Sequence, residues 1–225
     1  NYGPQTYWDA PNGGSSTSPS SDTYRGTTPF SEPETQALRD LVQSRKFRVT
    51  LNYHTYSNLL IYPYGALERE TPDSLTFREF AYEMTRFNRY SVGTDQQTVG
   101  YSTRGNSDDF MYDGDLSTRG KIYAMTPEVG SASDGFWPSQ SRIFPLAQEN
   151  LYPNLFYAWV AGDYVGTQNA TYDLQYFGQG ETAQMFVQLK NRGLSKASNL
   201  TVQLMSASPQ ITAGSAQVQV DSVSA

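Results

Sequence analysis

The chain has no cysteine, which excludes disulfides, zinc–thiolate clusters and a cysteine nucleophile while leaving the compartment open. It has one histidine, His54, in 225 residues, so imidazoles alone cannot supply the three or more protein ligands that a zinc site needs. Charge is sparse: Asp, Glu, Lys and Arg make up 17%, with a net charge of −6. That balance argues against nucleic acid as a partner, because phosphate contacts need a basic face. No apolar run approaches the roughly 20 residues of a membrane-crossing helix. The chain opens on Asn1-Tyr2-Gly3 without methionine, so the start reads as a cut, compatible with a leader upstream.

Aromatics are plentiful, with 17 Tyr and 11 Phe, on a background of Ser, Thr, Asn, Gln and Gly. This composition suits a β-containing, loop-rich protein of the extracellular or periplasmic kind, and a bacterial source is expected. Residues 3–28 carry turn formers and no apolar period, and read as loop. Ser31-Glu32-Pro33-Glu34 is a capping-box pattern that predicts a helix with Leu38, Leu41 and Val42 as its buried stripe. Phe47, Val49, Leu51 and Tyr53 alternate as a strand does, ending at His54. Leu59 to Gly65 is an apolar run closed by a turn. Phe77, Phe80, Ala81, Met84 and Phe87 predict a second helix over 73–90. The stretch 93–120, polar and punctuated by glycine, reads as a long surface loop. Ile122, Ala124, Thr126 and Glu128 share one face of a strand, and a last helix is predicted over about 144–161. This order predicts an α/β fold with a mixed sheet. Gly162 to Ala170 is linker-like. Beyond it, alternation at 183–189, 200–204 and 218–220, with Asn191-Arg192-Gly193 as a turn, predicts a partial β-sandwich. The expected domains are 1–163 and 171–225.

Taken singly, the chemical residues leave alternatives open. His54 is as well a packed or solvated imidazole, and Glu128 as well a surface carboxylate, although strand ends of α/β sheets are where ligands bind. Tyr101 is one tyrosine among many, and Asp108 has the ordinary reading of a turn-capping acid. Asn169-Ala170-Thr171 and Asn199-Leu200-Thr201 fit the glycosylation pattern, which recurs by chance.

The order of the segments says more. Ser21-Asp22-Thr23-Tyr24-Arg25-Gly26, Phe30 to Thr35, Tyr53-His54-Thr55-Tyr56 and Leu60-Ile61-Tyr62-Pro63-Tyr64-Gly65 are followed by Tyr101, Gly105 to Phe110 and Glu128. This series, over residues 1–161, resembles the zinc carboxypeptidases of the carboxypeptidase A/B/T type. The resemblance implies a Zn2+ cofactor with His54 as its third ligand, and Glu128 as the general base of a metal-assisted hydrolysis. It implies Tyr101 as the mobile tyrosine over the substrate's terminal carboxylate. Asp108 then lies at the floor of the pocket for the C-terminal side chain, where a buried carboxylate favours Lys or Arg. The expected partners are peptide or protein C-termini. The residues from 171 onward resemble Ig-like accessory modules.

Three departures accompany the resemblance. The family's His-x-x-Glu pair is absent, and Asn1 matches only the last residue of its Asn-Arg-Asn segment; Phe110 also stands where tryptophan is usual. One ligand of three does not hold catalytic zinc, so the 225 residues alone are expected to be inert. The alternative class is a non-catalytic binding protein on a degenerate peptidase scaffold with an adhesion-type sandwich.

Overall fold

The computed structural model describes residues 1–174, 176, 178–214 and 217–225; residues 175, 177, 215 and 216, within the expected C-terminal module, lie outside the described residues. Local chemistry accounts for several helix starts. Helix α1 (Gln5–Trp8) follows Pro4 in what reads as loop, and α2 (Pro33–Gln43) has proline in its first turn, where a missing N–H is no loss. The cap of α2 is Glu32 rather than Ser31, and no side chain caps it; Ser31 Oγ instead donates to Glu32 Oε1 at 2.7 Å. Thr35 and Val42 are buried on α2, with Leu38 packed against the cluster that holds Val42. Leu41, expected in that stripe, is 48% exposed, because the three- and four-residue spacing runs through 35, 38 and 42.

Strands β1 (Val49–Leu51) and β2 (Leu59–Ile61) come next, then α3 (Ser74–Met84) and β3 (Ser91–Gly93). Helix α3 buries Phe77, Phe80, Ala81 and Met84. It stops at Met84, so Phe87 falls beyond it and is exposed, against expectation. The stretch expected as a surface loop holds two helices, α4 (Asp95–Thr98) and α5 (Ser107–Asp113). Thr94 and Gln97 form a reciprocal capping box on α4, and Asn106 Oδ1 caps α5 by accepting from Asp109 N at 2.8 Å. Five residues of α5 are buried. Strand β4 (Tyr123–Glu128) follows, then a 3-10 turn (Gln140–Arg142) and helices α6 (Ile143–Glu149) and α7 (Leu151–Val160). The single closing helix expected over 144–161 is thus divided at Asn150.

The sheet order is β1-β4-β2-β3. β1 and β4 are parallel, β4 and β2 antiparallel, β2 and β3 parallel, which is the mixed α/β sheet expected. Period-two alternation in β4 divides the core between two layers. Ile122 and Ala124 pack with Val42, Phe110 and Met111 of α2 and α5. Tyr123 points the other way and meets Phe77 of α3 at 5.1 Å between ring centroids, while Tyr157 of α7 donates its hydroxyl to Tyr123 O at 2.6 Å.

The chain divides into two compact units, Asn1–Tyr157 and Ala158–Ala225. In the second unit the linker-like stretch is largely a strand. β5 (Val165–Tyr172) pairs antiparallel with β6 (Met185–Asn191), with an irregularity between Thr167 and Asn169. β7 (Ala197–Gln203) pairs antiparallel with β8 (Gln217–Val223). The turn at Asn191-Arg192-Gly193 is held by Asn191, whose Oδ1 accepts from Gly193 N at 2.9 Å and whose Nδ2 donates to Ser195 O at 2.6 Å.

Candidate functional site

The register of β1 and β4 builds the site. Val49, Thr50 and Leu51 pair with Tyr123, Ala124 and Met125, a constant offset of 74 residues (123 − 49). Past the end of β1 the same offset carries on. His54 N donates to Pro127 O and Val129 N to His54 O, both at 2.9 Å, and His54 and Glu128 form a parallel bridge. Paired residues on adjacent parallel strands, about 4.8 Å apart, direct their side chains to one face. The lone histidine and the glutamate are therefore neighbours at the C-terminal end of two parallel strands, His54 exposed and Glu128 half-buried. Burial, with the charge of Asp95 adding to it, pushes the Glu128 carboxyl up to about 7.

One row down on the same face are Asn52 and Thr126, two residues before His54 and Glu128. Both reach the same carboxylate. Thr126 Oγ1 donates to Asp108 Oδ2 at 2.8 Å, and Asn52 Nδ2 donates to Asp108 Oδ1. Asp108 sits in the first turn of α5 and is 6% exposed. Burial raises its carboxyl to about 7, while the two donors pull it down and Asp95's charge pushes it up. Among the described residues no Lys or Arg forms an ion pair with Asp108 or Glu128. The next residue, Asp109, is fully buried. Its two oxygens accept from Gly65 N at 2.9 Å and Ala66 N at 2.7 Å, fixing the turn after β2. Asn52, Thr126, Asp95 and Asp109 carry no expected site role; Thr126 is expected only on the strand face of Glu128. The signal for the first two was present: a strand periodicity of two places them on the face of His54 and Glu128.

Tyr101 stands apart from these residues, 59% exposed on the loop between α4 and α5. An open pocket of about 480 Å³ is lined by Tyr53, His54, Thr55, Val129, Leu146, Ala147, Asn150 and Asn154; Glu128, Tyr101 and Asp108 are not in its lining. The structure thus joins His54 to Glu128 directly and Asp108 to their row through Asn52 and Thr126, and leaves Tyr101 on a separate loop.

Residues 1–153 match the family model described as zinc carboxypeptidase. The chain belongs to the zinc carboxypeptidase family. It is 34% identical over 151 residues to carboxypeptidase A1 of Bos taurus, covering 63% of this chain and 35% of that protein. It is 33% identical over 155 residues to carboxypeptidase B of Astacus astacus, covering 64% and 48%. A structure of bovine thrombin-activatable fibrinolysis inhibitor in complex with tick carboxypeptidase inhibitor matches with a TM-score of 0.55 and 28% identity, over 68% of this chain and 54% of that one. The chain spans about a third to a half of the length of these curated relatives. They are animal proteins, which gives the expected bacterial source no support. The zinc of a zinc carboxypeptidase does not fit the donors of this chain alone. Among the described residues no three His, Cys, Asp or Glu side chains group as a metal site, and His54 is the sole imidazole. Nor is any described helix long and apolar enough to cross a membrane.

Proposed function

We propose that the protein containing this chain is a secreted zinc carboxypeptidase that hydrolyses the C-terminal peptide bond of peptides and proteins. The observation that supports this above others is the in-register pairing of His54 with Glu128 at the strand ends, in a chain of this family. In this reading His54 is one metal ligand, and the remaining donors come from outside the 225 residues. Glu128 is the general base. It takes a proton from the attacking water as the C–O bond forms, then passes that proton to the amine nitrogen as the C–N bond breaks. The products are a peptide shortened by one residue and a free amino acid. Tyr101 closes over the terminal carboxylate with its hydroxyl.

Asp108 supports a preference for C-terminal Lys or Arg. Its carboxylate is buried and held by two neutral donors, with no ion-pair partner among the described residues. An unpaired buried carboxylate is costly, and a cationic side chain entering beside it relieves that cost. The test is hydrolysis by the intact protein of matched peptides ending in Arg, Lys or Leu. Glu128→Gln lowers turnover about a hundred- to ten-thousandfold, and undiminished turnover dismisses the assignment.

A further inference from the structure

The loop that carries Tyr101 is pinned on both sides and covered by a segment distant in sequence. On its N-terminal side, Val99 N and Gly100 N both donate to Asp95 O, at 2.9 and 3.1 Å, and Gly100 turns the chain at φ +79. On its C-terminal side Thr103 is tied three times: its N–H donates to Gly65 O at 3.0 Å, its hydroxyl donates to Asp95 Oδ2, and that hydroxyl accepts from Asn106 Nδ2 at 2.8 Å. Asp95 therefore holds both feet of the loop. Between them Ser102 is 5% exposed while Tyr101 is 59% exposed.

The cover over Ser102 is the segment 10–15. Arg104 reaches across to it, donating from Nη1 to Ala10 O at 3.1 Å, from Nε to Ser15 Oγ at 3.1 Å, and from Nη2 to Ser15 O at 2.6 Å. Gly14 then lies so close that a Cβ there would stand 1.9 Å from Ser102 O and 2.9 Å from Thr103 Cα. Its neighbour Gly13 has nearly the same φ, +83 against +82, yet a Cβ on Gly13 meets nothing within 4 Å. Both positions need glycine for their positive φ; Gly14 alone needs it for a close approach as well.

We infer that Gly14 and Arg104 are positioning residues. The segment 10–15 braces the C-terminal foot of the Tyr101 loop, so that movement of Tyr101 is confined to Gly100 and Tyr101 and the side chain returns to one place over the substrate. This rests on the reading of Tyr101 as a substrate-closing residue. Loss of the brace leaves Tyr101 present but poorly placed. It weakens binding of the terminal carboxylate in ground and transition states alike, so KM rises while kcat holds.

Two readouts test it in the intact protein. The first is the rate of chymotryptic cleavage after Tyr101 without substrate, followed by mass spectrometry, which reports local opening of the loop. The second is the split between KM and kcat. Gly14→Ala and Arg104→Met should each speed cleavage after Tyr101 and raise KM by about tenfold with kcat within about twofold. Gly13→Ala places a Cβ at a matching positive φ without the contact and should change neither. In a Tyr101→Phe background Gly14→Ala should add nothing further to KM, since residues acting through one another are not additive. Equal effects of Gly13→Ala and Gly14→Ala, or unaltered cleavage after Tyr101 in both Gly14→Ala and Arg104→Met, overturn the brace. A KM unmoved by Tyr101→Phe alone instead removes the substrate role of Tyr101, and the effect on KM with it.

Discussion

Replacing Thr126 with valine keeps the shape of the side chain and removes one of the two donors to Asp108. The carboxyl of Asp108 is raised by burial to about 7, against about 3.9 in an unfolded chain. Between those values the folded state holds a proton that the unfolded state has released, so the contribution of this group to stability is fully present below about pH 4 and is lost as pH rises through about 7. Thr126→Val steepens that fall. At about pH 8.5 the lost bond is one to a charged acceptor and costs about 1.5–3 kcal/mol; at about pH 5 it is one to a neutral acid and costs about 0.5–1.5 kcal/mol. The difference of about 1 kcal/mol corresponds to a further rise of about 0.7 unit in the Asp108 pKa. In urea, with a slope of about 2 kcal/mol per molar, the alkaline loss moves the midpoint by roughly 1 M and the acid loss by about half of that. Equal losses at the two pH values, or a larger loss in acid, refute the Thr126–Asp108 bond as described.

Asp109→Ala leaves Gly65 N and Ala66 N buried without their acceptor and should cost about 2–6 kcal/mol, with Asp109→Asn losing less; urea unfolding checks both. Phe77, fully buried between Tyr62, Tyr112 and Tyr123, should lose about 3–5 kcal/mol on replacement by alanine, read as a fall in denaturation midpoint. In the intact protein Asp108→Asn should reduce kcat/KM for peptides ending in Arg or Lys by tenfold or more, at about 1.4 kcal/mol per tenfold. Peptides ending in Leu should change less, and a uniform loss on all peptides would show that Asp108 does not select the side chain.

The sheet was legible where period and burial agree. Alternation in β4 named the face that holds Thr126 and Glu128, and Phe77, Phe80, Ala81 and Met84 gave α3 its buried side. Helices α4 and α5 were not legible as elements. Their sequence is polar, and a periodicity argument counts Asp as exposed, whereas Asp108 and Asp109 are buried because Asn52, Thr126, Gly65 and Ala66 satisfy them. The caps were there to be read: Thr94 with Gln97 for α4, Asn106 with Asp109 for α5. β5 reads as a linker because Gly166, Thr167, Gln168 and Asn169 lack an apolar face, and the strand is exposed along nearly its whole length. Leu41 and Phe87 misled in the opposite sense, as apolar residues that sit one position off a stripe or past a helix end.

For the site, the resemblance named four residues, and the offset of 74 between β1 and β4 accounts for two of them being neighbours. No single motif could announce that pairing, since it depends on two strands separated by three helices and two further strands. The brace on the Tyr101 loop was illegible for a similar reason. A glycine in a run of turn formers looks like any other until the atoms opposite it are known.

The most direct measurement is zinc stoichiometry in the intact protein, taken on the same samples as turnover, for Glu128→Gln and His54→Ala. Glu128→Gln should keep zinc at the level of the parent protein and lose turnover, while His54→Ala loses both. Zinc retained in full by His54→Ala, or turnover kept by Glu128→Gln, would contradict the pairing of a metal-holding imidazole with a proton-moving carboxylate.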